Sequence, residues 1–176
     1  MDYRTILYQV KDRILTLTLN RPEKLNSFTV EMSYELINAY QRASEDDSVS
    51  VVIVTGAGRA FCAGMDLSID GNVFGLNEEL KPTIKDMRER SEDDDIISGV
   101  RDAGGRVVLA MYECKKPIIG AINGAAVGIG ATMTCAMDIR LASQKAKVGF
   151  VFNKIGITPE ALSLRGIYCR LDIPED

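Results

Sequence analysis

Val52-Ile53-Val54-Thr55-Gly56-Ala57-Gly58-Arg59-Ala60-Phe61-Cys62-Ala63-Gly64-Met65-Asp66-Leu67 runs from a continuous β-branched stretch into a turn of glycines and alanines. An unbroken apolar run that begins at Val51 reads as a strand buried on both faces, the pattern of a parallel sheet. The turn after it lets a ligand approach the main chain, and free N–H groups there attract negative charge. The same design recurs in Lys116-Pro117-Ile118-Ile119-Gly120-Ala121-Ile122-Asn123-Gly124-Ala125-Ala126-Val127-Gly128-Ile129-Gly130. For either segment alone, glycines that merely permit tight turns and close packing account for the pattern. Neither segment matches the dinucleotide fingerprint or a P-loop with its lysine. Two N–H donors on two separate loops are how an enzyme stabilises the oxyanion of a thioester or enolate.

Outward from these segments the chain reads as α/β. Ile6 to Val10, Lys11-Asp12-Arg13 and Ile14 to Leu19 predict a β-hairpin, with Leu15, Leu17 and Leu19 alternating with Thr16 and Thr18. Asn20-Arg21-Pro22 ends it. Met32, Leu36, Ala39 and Ala43 recur at helical spacing behind Thr29, a candidate N-cap with Glu31 in the first turn. Strand, helix and strand in this order suggest a right-handed crossover. Residues 68 to 95 give little signal beyond the acidic run Ser91 to Asp95, which reads as a solvated loop or helix start. Ile96 to Met111 predicts a helix weakened by Gly104-Gly105. Ala125 to Ala136 is expected to be helical from about Gly130, and Ile139 to Ala142 and Val148 to Val151 read as short strands. No repeat or linker interrupts residues 1–176, so one domain is expected.

The composition sets limits on function. The 176 residues are 46% hydrophobic and 26% charged, with a net charge of −4, which argues against nucleic acid as a partner. No apolar run approaches a bilayer span, and Met1-Asp2-Tyr3-Arg4 leads into no apolar signal region. A cytoplasmic protein without membrane partners is the expectation. Cys62, Cys114, Cys135 and Cys169 lie far apart with no C-x-x-C, and the chain contains no histidine. No zinc pattern or other metal site is expected, and reduced, packed cysteines are favoured over a disulfide framework. Without histidine, proton transfer falls to a carboxylate, Lys, Tyr, Cys or water.

Asn20-Arg21-Pro22 with Leu25-Asn26-Ser27 resembles the opening motif of the crotonase superfamily, the enoyl-CoA hydratases and isomerases. The two strand–glycine segments are similar to its two oxyanion-hole segments, in the same order, and the resemblance runs from about Ile6 to Glu160. It implies a crotonase-like spiral of ββα units with parallel sheets and an acyl-CoA thioester substrate. Coenzyme A would enter as part of that substrate, with no permanently bound cofactor. Carried over position by position, the resemblance assigns the oxyanion donors to the N–H groups of Met65 and Ile129, the latter on condition that its φ is negative. It assigns CoA contacts to main-chain groups at Lys24, Leu25, Ala63, Met65, Asp66 and Leu67. Asp66 has a second reading, a turn-fixing hydrogen bond from side chain to backbone.

The two glutamates of the family's hydratases align with Thr132 and Phe152, neither of which can act as a base. Glu160 aligns with the aspartate that dienoyl-CoA isomerases use, and equally suits a helix cap after Pro159. Asp138 reads as a structural hydrogen-bonding residue. The implied function is enolate stabilisation with an isomerase- or hydratase-like outcome. Thioester hydrolysis, decarboxylation, or an inactive CoA-binding or assembly subunit are the alternatives. Family members form homotrimers or hexamers and continue into further helices. Ala161 to Asp176 reads as a divergent tail, with the C-terminal helical region short or missing.

Overall fold

The leucine–threonine alternation becomes a strand, β2 (Ile14–Leu19), with Leu15, Leu17 and Leu19 fully buried. The computed structural model describes residues 2–154 and 156. Strand β1 (Ile6–Lys11) pairs antiparallel with β2, from Ile6 opposite Leu19 to Lys11 opposite Ile14. Asp12 and Arg13 take positive φ values of 51° and 65° between them, as a two-residue turn that follows the strand twist requires. The helix expected behind Thr29 is α1 (Val30–Glu45). The Thr29 side chain accepts from the Met32 N–H at 3.0 Å, and Met32, Leu36, Ala39, Tyr40 and Ala43 form its buried face.

Each later unit places one strand in each of two sheets. The strands β3 (Val51–Gly56), β5 (Ile118–Ile122) and β7 (Ile139–Ala142) extend the hairpin sheet in the order β1-β2-β3-β5-β7. All pairs after the hairpin are parallel. The strands β4 (Ala60–Cys62), β6 (Ala125–Val127) and β8 (Lys147–Gly149) form a second, parallel sheet in the order β4-β6-β8. This is the expected spiral of ββα units. Strands β4 and β6, at three residues each, are too short to show a period, so in the sequence they look like turn. Strand β8 begins and ends earlier than the expected Val148 to Val151.

The expected helix from Ile96 to Met111 is two helices, α3 (Asp94–Val100) and α4 (Ala103–Glu113), preceded by α2 (Ile84–Glu89). Asp102 breaks the run: its side chain accepts from the Gly105 N–H at 2.8 Å and caps α4. The helix α5 (Ile129–Cys135) starts within one residue of expectation. It packs against β4 and β6, while α1 packs on α4. One apolar cluster joins the hairpin leucines, the inner face of α1, Val107 and Val108 of α4, and Ile129 and Met133 of α5. Among the described residues no helix is long and apolar enough to cross a membrane.

Candidate active site

The two glycine loops are brought together by the second sheet. Alignment of β4 with β6 sets the Ala63–Leu67 loop beside Val127 and Gly128. A methyl group built on Gly64 would lie 3.3 Å from the Val127 carbonyl oxygen, and one on Gly128 would lie 3.9 Å from the Gly64 Cα. Both have positive φ, 107° and 54°, so the turns that juxtapose the loops use backbone conformations that side chains disfavour. Gly130 fixes the approach of α5. A methyl there would fall 2.3 Å from the Cys62 carbonyl oxygen.

Two asparagines tie the loops to the sheets, through side-chain hydrogen bonds that no sequence pattern signals. Asn26 is fully buried and donates to the carbonyls of Ala57 and Ala60 at 2.9 and 2.8 Å, while its Oδ1 accepts from the Arg21 N–H. Asn123 accepts from the Gly56 N–H at 3.1 Å and donates back to the Gly56 carbonyl at 2.9 Å. Leu25 and Asn26 are consecutive left-handed residues, φ 53° and 55°, a conformation Asn tolerates better than Leu.

Met65 and Ile129 sit on these adjoining loops. Phe28 brackets Met65: the Phe28 N–H donates to the Gly64 carbonyl and the Asp66 N–H to the Phe28 carbonyl, both at 2.8 Å. Ile129 is the first residue of α5, and its φ is not positive, as its expected role demands. A first-turn N–H has no carbonyl four residues back to bond. Among the described residues neither the Met65 nor the Ile129 N–H donates a hydrogen bond.

The segments expected to meet CoA are also neighbours. The Ala63 N–H donates to the Leu25 carbonyl at 3.1 Å, next to the exposed Lys24. Leu67 is 72% exposed. Asp66 points inward: its Oδ1 accepts from the Ser68 N–H at 3.1 Å and hydroxyl at 2.6 Å, and its Oδ2 from Arg21 at 2.8 Å. These Ser68 hydrogen bonds, together with the Arg21 guanidinium, hold the carboxyl well below the usual carboxylate range. The turn-fixing role read from sequence is therefore present, with an ion pair added to it.

The aligned glutamate positions contain no base. Thr132 is fully buried and its hydroxyl contacts the Ile129 carbonyl oxygen of its own helix at 3.3 Å; Phe152 is buried as well. Glu160 lies outside the described residues. A cavity of about 330 Å³ is lined in part by Arg21, Thr29 and Ile69 and by the exposed residues Glu31 and Asp70. Among the described residues no cluster of three or more His, Cys, Asp or Glu side chains could hold a metal. Asp138 accepts from the Ile118 N–H at 2.8 Å, the structural role expected of it.

Residues 9–170 match the family model described as enoyl-CoA hydratase/isomerase. The chain belongs to the enoyl-CoA hydratase/isomerase family. It is 38% identical over 155 residues to a 1,2-epoxyphenylacetyl-CoA isomerase of Escherichia coli, covering 88% of this chain and 53% of that protein. It is 37% identical over 161 residues to a "Probable enoyl-CoA hydratase" of Rhodobacter capsulatus, covering 92% of this chain and 54% of the relative. A crystal structure of an enoyl-CoA hydratase/isomerase from Pseudoalteromonas atlantica superposes with a TM-score of 0.71 at 31% identity, over 94% of this chain and 57% of that one. The chain thus spans about half the length of the enoyl-CoA hydratase/isomerase relatives it matches.

Proposed function

We propose that the chain captures an acyl-CoA thioester and stabilises the enolate formed from it. The Met65 and Ile129 N–H groups are the donors to the carbonyl oxygen. One observation carries this reading: two main-chain donors without a hydrogen-bond partner among the described residues stand on loops that touch through Gly64 and Gly128. In this scheme a base removes a proton α or γ to the thioester. The electron pair left on carbon moves onto the carbonyl oxygen, where two N–H groups stabilise it. Return of the proton to a different carbon completes an isomerisation, with Glu160 as the carboxylate that takes and returns it. Thr132 and Phe152 in place of two glutamates favour isomerisation over hydration. CoA enters with the substrate, along the main chain at Lys24, Leu25, Ala63, Met65, Asp66 and Leu67.

The reading extends to a cytoplasmic homo-oligomer, a trimer or hexamer. Ile139, Leu141 and Val148 on β7 and β8 are each at least half exposed, an apolar surface of the kind that association covers; sedimentation tests it. A second reading, an inactive CoA-binding or assembly subunit, is favoured by the same Thr132 and Phe152.

Glu160→Gln separates the readings. Calorimetric titration with a panel of acyl-CoA thioesters, followed by product analysis, is expected to show turnover lost and affinity retained. Unchanged turnover removes Glu160 as the base. Affinity without turnover by the unsubstituted protein on the whole panel selects the inactive subunit.

A further inference from the structure

The Asn20-Arg21-Pro22 segment and the Met65 loop meet through one side chain. Arg21 Nη2 lies 2.8 Å from Asp66 Oδ2, and the two side chains are 19% and 6% exposed. The other arm, Nη1, donates to the Ser27 carbonyl at 2.6 Å and reaches the Ser27 hydroxyl at 3.1 Å. That hydroxyl donates to Asp66 Oδ2 at 3.2 Å, closing a ring of three side chains. Ser27 immediately precedes Phe28, and Asp66 immediately follows Met65. The guanidinium therefore grips both flanks of the two hydrogen bonds that bracket Met65 between the main-chain groups of Phe28.

We infer that Arg21 is a positioning residue that sets the direction of the Met65 N–H by clamping Ser27 and Asp66 across the Phe28–Met65 bridge. This rests on the reading of the Met65 N–H as the carbonyl donor. The argument turns on shape as much as charge. Guanidinium is a rigid planar fork that holds two partners at once, whereas an ammonium is a single point of charge on a flexible stem. Lysine at 21 keeps the pair with Asp66 and releases the Ser27 carbonyl. Bond direction matters because a carbonyl donor acts only when it is aimed at the position the oxyanion will occupy.

The test uses the full chain with Arg21→Lys and Arg21→Met, the latter keeping the apolar stem. Glu35→Ala is the control, since Glu35 secures the Arg4 and Thr5 N–H groups to α1, away from the clamp. Amide hydrogen exchange is read over residues 63–68 and over the strands 14–19 and 51–56. Both Arg21 variants are expected to exchange at least about tenfold faster over 63–68, with both strands unchanged. Glu35→Ala leaves 63–68 unchanged. In the second arm an aryl-conjugated enoyl-CoA reports carbonyl polarisation by the red shift of its bound absorption band. That shift is expected to fall by at least about half in both variants, with kcat down about 100-fold and KM within about threefold.

Unchanged exchange over 63–68, or full recovery of exchange and shift in Arg21→Lys, overturns the inference. If the unsubstituted protein binds the chromophore without any shift, the thioester reading fails. The exchange arm then decides the clamp alone, for it if 63–68 loosens and against it if not.

Discussion

Replacing Gly130 with alanine would separate the two glycine loops by force. The added methyl would stand 2.3 Å from the Cys62 carbonyl oxygen, 2.8 Å from the Cys62 Cβ and 3.0 Å from its carbonyl carbon. Carbon–oxygen contacts settle near 3.3 Å, so α5 and β4 must part by about 1 Å. None of the three atoms is the free end of a side chain that could rotate away. The cost therefore falls at the upper end of overpacking, about 3 kcal/mol. Helix propensity returns about 1 kcal/mol for alanine over glycine. The net loss of about 2 kcal/mol lowers the melting temperature by about 4–8 °C in a chain of this size. The displacement acts directly on Ile129, one residue away, and if its N–H is the proposed donor a misplacement of about 1 Å costs about 100-fold in turnover. Thermal unfolding and acyl-CoA turnover are measured beside Gly149→Ala, whose added methyl meets only Val151 Cγ1, at 3.6 Å. Should Gly130→Ala melt within a degree of that control, the close approach of α5 to Cys62 is not what holds the loops together.

Two further outcomes follow from single side chains. Asp66 is held below its ordinary pKa, first by Ser68 and then by Arg21, so its contribution to stability is complete above its unfolded value, about 4, and declines as pH falls through the folded one. Asp66→Asn lowers stability at neutral pH by about 3 kcal/mol and makes its fall with acid shallower; urea titrations from pH 3 to 7 with parallel slopes would contradict this. Burial pushes the Cys62 thiol up to about 11. Under iodoacetamide at pH 8 it should be modified last among the three described cysteines, after the half-buried Cys114 and Cys135, as peptide mapping would reveal.

The elements legible in the sequence are those whose period the packing preserves. Leu15, Leu17 and Leu19 face the core in alternation, and Met32, Leu36 and Ala43 line one face of α1. Apolar spacing continues across the break between α3 and α4 and hides it in the sequence. The usable signal was local: Asp102 stands three residues before Gly105, whose N–H it caps. Residues 68 to 95 contain a similar local mark, the reciprocal capping of Thr83 and Asp86 that starts α2. In the site, the glycine spacing conveys where the loops turn, and the family resemblance is the source of the two proposed donors. The Arg21–Asp66 contact carries no periodicity or spacing signal, since 45 residues separate partners that only the folded chain brings together. Neither Leu25 nor Asn26 announces a left-handed backbone as glycine would.

The Met65 and Ile129 N–H groups belong to the main chain, and that changes where natural variation can strike. On the proposed reading, any side chain except proline at either position leaves the donor in being, so the two residues nearest the thioester oxygen would be free to drift. The constraint passes to their neighbours. Gly64 and Gly128 must keep left-handed turns, Gly130 must leave room for a carbonyl, and Asn26 and Asn123 must satisfy main-chain groups of the β3–β4 connection. A lineage of such proteins would diverge fastest at the point of contact with its ligand and slowest in the frame around it.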